Sequence, residues 1–205
     1  ILCQHKIIMF KLGVTGGMGA GKSTACIFFK NKGATIFEAD KEAKKMLISN
    51  IKLQKKIISA YGNNHINDNQ FNLNELAKIA FSSKRNQEIL NKIMWPEIFQ
   101  LIEKASILAN NNDCNLFIVD AALLFEANNV DFFDSILLIS ASKEIRTARV
   151  VKRDNMPIKQ INQRMELQMD ESEKKKKADM NIENNGNLKK FHNDLDFYYR
   201  NLQIY

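Results

Sequence analysis

The chain has 205 residues, 45% hydrophobic and 26% charged, with a formal net charge of +7. This length allows one domain, or one domain with an insertion, and the composition excludes collagen-like and wholly disordered chains. The positive charge points weakly to phosphate-bearing partners, because Lys-rich solvated faces give the same sum.

Strand and helix patterns alternate along the chain. Lys6 to Val14 is an apolar run that ends among glycines and reads as a buried strand. Gly13, Gly16, Gly17, Gly19 and Gly21 fall within nine residues, which concentrates backbone freedom at one turn. Ser23 to Lys32 reads as a helix stopped by Gly33. Ala34 to Phe37 is a second short strand that runs into Glu38-Ala39-Asp40. Spacing is helical from Lys41 to Asn110. Leu116 to Val119 is a third strand closed by Asp120, and Ser135 to Ala141 is a fourth. Ser142 to Lys177 is helical and rich in charge, with Lys174 to Lys177 reading as a solvated face. Ala178 to Glu183 alternates as a fifth strand, and Leu188, Phe191, Leu195, Tyr198 and Leu202 line one face of a terminal helix. This order predicts an α/β fold of three layers, a mostly parallel five-stranded sheet covered on both faces. The long gap between strands two and three predicts an inserted helical lobe.

No run approaches the roughly 18 consecutive apolar residues of a membrane span. Cys3, Cys26 and Cys114 are too widely spaced for a disulfide framework or a zinc site. Ile1 to Lys6 lack a signal-peptide pattern, so a reducing cytoplasm is the expected compartment.

Gly16-Gly17-Met18-Gly19-Ala20-Gly21-Lys22-Ser23 fits G-x-x-x-x-G-K-[ST], and it lies between a predicted strand and a predicted helix. Glycines let successive N–H groups turn inward as a nest for phosphate oxygens, and the next helix adds its positive N-terminal end. Lys22 can reach the β- and γ-phosphates, and the Ser23 hydroxyl is placed to ligate Mg²⁺. A chance match arises in about one chain in a hundred of this length, and rarely at a strand–helix junction. The motif indicates a nucleoside triphosphate without naming the reaction.

Asp40 and Asp120 end strands on the side where ligands of parallel sheets lie. Either could hold magnesium or take the proton of an attacking hydroxyl, and either could instead cap the next helix. Arg146, Arg149, Arg153 and Arg164 follow the fourth strand. Arginine forks there could bind phosphate within a water-excluding lid, or could pair along a solvated helix.

These segments, taken in order, resemble the dephospho-CoA kinases over nearly the whole chain. They are Leu12 to Thr24, Glu38-Ala39-Asp40, Asp120 to Glu126, Arg149 with Arg153-Asp154, and Gln168 followed by Ala178-Asp179 and Asn184-Asn185-Gly186. The resemblance implies a P-loop kinase that uses ATP and Mg²⁺ to phosphorylate the ribose 3′-hydroxyl of dephospho-CoA. The nucleotide core would comprise 1–46 and 113–205, with a lid at about 142–177, and the acceptor lobe 47–112. Gly17, Gly19, Ala20, Gly21, Lys22, Ser23 and Thr24 would hold the phosphates, and Asn184 and Gly186 would lie beside adenine. Asp40 would be the base, Lys22 and Arg149 would act in transfer, and Ser23 and Asp120 would face the metal.

Departures from the family pattern stand at Glu38, Leu73, Trp95, Ala122 and Arg146, mostly on the acceptor side. Met9-Phe10-Lys11-Leu12-Gly13 looks like the usual beginning of such proteins, so Ile1 to Ile8 read as an upstream extension. Two other readings remain. One is a nucleoside or nucleotide kinase with a similar lid. The other is a nucleotide-dependent switch or nucleic-acid-binding ATPase, but N-K-x-D is missing and Ser142 to Lys177 has no aromatic residue. Small-molecule partners, without nucleic acid or membrane, are expected, and the oligomeric state is not given by the sequence.

Overall fold

The computed structural model describes residues 9–202 apart from 63–65, 68–69 and 128. Lys6 to Ile8 of the expected first strand, and the extension Ile1 to Ile8, lie outside the described residues. The first half comprises β1 (Phe10–Thr15), α1 (Lys22–Asn31), β2 (Thr35–Glu38), α2 (Ala39–Ser49) and α3 (Ile51–Tyr61). A short ladder of β3 (Ile66–Asn67) and β4 (Gln70–Phe71) follows, then α4 (Leu73–Ala80) and α5 (Lys84–Asn111). The second half holds β5 (Leu116–Asp120), β6 (Ser135–Ser140), α6 (Lys143–Asp154), α7 (Ile158–Glu166), α8 (Glu171–Lys177), β7 (Met180–Glu183) and α9 (Leu188–Asn201).

Five strands form one sheet in the order β2-β5-β1-β6-β7, and every neighbouring pair is parallel. Alternate residues of each strand face opposite layers. Phe117 and Val119 point into a core shared with Leu47, Leu53, Ile57, Ile98 and Ile102. Leu116 and Ile118 point the other way, with Leu12 and Val14, onto Phe29 of α1 and Phe191 and Leu195 of α9. Fully buried side chains such as Phe29, Phe117 and Phe191 each contribute about 1.5–3 kcal/mol of transfer free energy. The helices that follow β2 therefore share a continuous core with one face of the sheet.

The helical spacing from Lys41 to Asn110 gives four helices, interrupted by the antiparallel pair β3 and β4. Strands of two residues have no period to read, so hydrophobic spacing cannot reveal them. Helix ends follow local chemistry more closely. Gly33 adopts φ +95° just past α1, and its N–H bonds the Lys30 carbonyl at 3.0 Å.

Register sets the position of the site. Val14 and Glu38 both lie opposite Asp120, on either side of β5. The ends of β1, β2 and β5 therefore reach one level, and the glycine loop, Asp40 and Asp120 meet at a single edge. Val150 of α6 and Ile161 and Met165 of α7 form a separate small core, with Met18 of the glycine loop packed against it.

Candidate active site

The glycine loop is held in shape by its neighbours. Gly19 has φ +80°, and a Cβ there would come within 2.5 Å of the Arg146 carbonyl oxygen. Gly21 has φ +109°, and a Cβ there would lie 2.2 Å from Asn184 Nδ2. Both positions need the left-handed backbone and have no room for a side chain. Gly21 is also the N-cap of α1 and supplies no side-chain cap. The first amides of α1 are thus left for a ligand, with the positive end of the helix behind them. Lys22 is the first helical residue, Ser23 beside it is exposed, and Thr24 is half-buried.

Lys22 Nζ lies 3.3 Å from Asp120 Oδ1, with both side chains largely buried. That carboxylate oxygen is buried and lacks an aligned hydrogen bond. Cys26, one turn beyond Lys22 on α1, has its thiol pushed well up by burial and by Asp120, so it stays an unreactive thiol. Asp40 sits in the first turn of α2, where its charge suits the helix dipole. Its Oδ2 accepts a hydrogen bond from the Ala122 N–H at 3.4 Å. Neither acid caps a helix: the N-cap of α2 is Glu38, which makes no side-chain capping bond and instead accepts from Lys41 Nζ at 2.9 Å. Asp40 is exposed as a residue, while its carboxylate end is crowded by protein atoms. Crowding raises its pKa, Lys22 opposes that rise, and Asp120 adds to it.

Arg149 lies against protein carbonyls. Nη1 reaches the carbonyls of Gly19 and Ala20 at 3.5 and 3.3 Å, and Nη2 donates to the Asn184 carbonyl at 2.8 Å. Asn184 is buried and donates its Nδ2–H to the Ala20 carbonyl at 2.9 Å. Asn185 accepts from the Ser142 N–H at 2.8 Å, and Gly186 lies exposed beyond it. Arg149 and Asn184 therefore staple the loop after β7 to the outer side of the glycine loop. Arg153 is exposed and forks onto its neighbour Asp154, with both bonds at 2.7 Å. Arg164 stacks over Phe81, 5.6 Å from the ring centroid.

The segment 167–174 carries contacts that sequence reasoning missed. Gln168 Oε1 accepts from the Met18 N–H of the glycine loop at 3.1 Å. The Met169 N–H donates to Glu126 Oε1 at 3.0 Å. Arg146 Nη1 lies against Gly17, where a Cβ would approach it to 2.2 Å, and the guanidinium pairs with Glu171 at 3.6 Å. The reading of Lys174 to Lys177 as a solvated face holds for Lys175, Lys176 and Lys177, which are exposed, and fails at Lys174, which is 1% exposed. Glu171, Lys174 and Ala178 recur at i, i+3 and i+7, one face of a helix, and that spacing was the available signal.

Among the described residues no cluster of three His, Cys, Asp or Glu could hold a metal ion. Magnesium in such sites takes one or two protein oxygens and fills its shell with phosphates and waters. The Oδ1 of Asp120, held by the Lys22 ion pair without an aligned hydrogen bond, and the exposed hydroxyl of Ser23 fit that demand.

The dephospho-CoA kinase family model matches residues 10–190. This chain belongs to the dephospho-CoA kinase family. A dephospho-CoA kinase of Salinibacter ruber is 37% identical over 188 residues, which is 91% of this chain and 92% of the relative. One from Fusobacterium nucleatum is 34% identical over 86% of this chain and 90% of its own. The solved dephospho-CoA kinase of Campylobacter jejuni superposes with a TM-score of 0.65 at 27% identity, covering 94% of this chain and 96% of its own. A shikimate kinase from Acinetobacter baumannii, at 14% identity and TM-score 0.54, shares the fold alone. Members of this family are kinases with ATP as co-substrate, and no described helix here is long and apolar enough to cross a membrane.

Proposed function

We propose that this protein transfers the γ-phosphoryl group of ATP to the ribose 3′-hydroxyl of dephospho-CoA, releasing CoA and ADP. The observation that carries this reading is the meeting of Lys22, Asp120 and Asp40 at one sheet edge beside the glycine loop. Residues 1–46 and 113–205 hold the nucleotide, 142–177 form the lid, and 47–112 receive the acceptor. The amides of Gly17 to Thr24 and the Lys22 ammonium face the phosphates, and phosphoryl transfer depends mainly on such positioning and charge. Arg149 and Asn184 hold the loop in that shape, beside the adenine end where Gly186 lies.

Asp40 Oδ2, steadied by the Ala122 N–H, orients the acceptor hydroxyl and takes its proton. The 3′-oxygen–phosphorus bond forms as the bond from phosphorus to the bridging oxygen of ADP breaks. The raised pKa of Asp40 makes it a better proton acceptor than an ordinary aspartate. Ser23 and Asp120 would hold Mg²⁺, which supplies charge neutralisation at the phosphate oxygens. The groups named here all come from one chain. The partners are small molecules, with neither nucleic acid nor membrane, and the free buried thiol of Cys26 suits a reducing cytoplasm.

The test is ADP release with ATP and Mg²⁺ and, in turn, dephospho-CoA, adenosine, AMP or DNA. Rapid release with dephospho-CoA alone is expected. Equal kcat/KM for adenosine or AMP would indicate a nucleoside or nucleotide kinase, and release that needs DNA would indicate a nucleic-acid ATPase.

A further inference from the structure

One lysine of an otherwise solvated run is turned wholly inward. Lys174 is 1% exposed, whereas Lys175 pairs with Glu183 and Lys176 with Glu173 at the surface. Its Nζ lies 3.5 Å from the Ala122 carbonyl and 3.9 Å from Glu126 Oε1. The Thr15 hydroxyl, at the end of β1, points at the same carbonyl from 3.5 Å. Ala122 also offers its N–H to Asp40. The main chain of one residue is thus gripped by the glycine loop's root, by the lid segment and by Asp40.

The same lid segment touches the phosphate cradle through Gln168 on Met18 and Glu171 on Arg146. It touches the loop after β5 through Met169 and Lys174 on Glu126. Glu126 Oε2, Arg146 Nε and Glu171 Oε1 are buried without hydrogen bonds, so this network is incompletely satisfied. A buried, underbonded ion pair contributes little to stability compared with apolar side chains of similar shape. The buried charge is therefore better explained by what it positions.

We infer that Lys174 is a positioning residue, which fixes the Ala122 main chain from the lid and through it aims the Asp40 carboxylate at the acceptor hydroxyl. This rests on the proposed role of Asp40 as base.

The experiment is a double-mutant cycle of Lys174→Met and Asp40→Asn, with kcat, KM for both substrates and direct ATP binding measured. Lys174→Met should lower kcat about tenfold or more and leave ATP affinity within about twofold, because the direct contacts of its Nζ are the Ala122 carbonyl and Glu126. The double variant should be no more than about threefold slower than Asp40→Asn alone, the non-additivity of two residues acting through one group. Lys176→Met should match the parent. If Lys174→Met lowers the melting temperature enough to obscure the kinetics, Lys174→Met with Glu126→Gln removes both charges and takes its place in the cycle. Wild-type turnover in the lysine variant, or multiplicative losses on top of an impaired Asp40→Asn, would overturn the inference and leave the base intact. Wild-type turnover in Asp40→Asn would overturn the base and this inference with it.

Discussion

The two sides of the site are built differently. The phosphate cradle is eight consecutive residues, Gly16 to Ser23, in which loop amides, ammonium and hydroxyl arrive together. The face opposite is assembled from Asp40 at the start of α2, Ala122 and Glu126 after β5, and Lys174 on α8. A contiguous cradle keeps its chemistry wherever a strand turns into a helix, because its geometry is local. A face drawn from distant segments depends on sheet register and on the docking of α8, so each member works only if the others are in place. Leu73 and Trp95 pack into the core beneath it.

Substitutions on the two sides should separate this dependence, and the largest effect belongs to the assembled face. Asp40→Asn keeps the shape and removes the charge. Turnover should fall about 10²–10⁴-fold, the range for general acid–base catalysis, with ATP binding nearly intact by calorimetry. Arg149→Lys tests the cradle's outer staple. One ammonium cannot replace a fork that reaches three carbonyls, so turnover should fall at least about tenfold. The melting temperature should drop by about 2–8 °C, since these bonds also hold the fold. Unchanged values in a kinetic assay and a thermal melt would leave Arg149 a bystander.

Asp120→Asn should lower turnover less than Asp40→Asn and raise the magnesium concentration for half-maximal rate. A magnesium titration of both variants checks this. Rescue of Asp40→Asn by excess magnesium, without rescue of Asp120→Asn, would reverse the two roles. The smallest effect concerns pH. A base works deprotonated, and crowding raises the pKa of Asp40 above the ordinary 3.8. The loss of kcat/KM on acidification should therefore set in above the pH of an ordinary aspartate and be missing from the Asp40→Asn profile.

Legibility in the sequence followed the same division. Strands such as Leu116 to Asp120 and Ser135 to Ser140 are apolar runs with polar ends, and they appear where the pattern puts them. The glycine loop was legible because its spacing carries its geometry. Asp120 ends β5 as expected, whereas Asp40, expected at the end of the second strand, lies in the first turn of α2, and only register shows that Glu38 and Val14 flank Asp120 and bring the three elements together. Arg149 was legible as a lid-base residue, whereas its carbonyl partners depend on how α6 docks. Lys174 was lost in a run of four lysines, because which one turns inward depends on the phase of a seven-residue helix. The β3–β4 pair was too short for any period.

Phosphorus NMR of the product formed from ATP, Mg²⁺ and dephospho-CoA tests the central claim most directly. The account predicts a new phosphomonoester signal coupled to the ribose H3′, appearing in step with ADP. A phosphate on any other oxygen, or ADP accompanied only by inorganic phosphate, would contradict it.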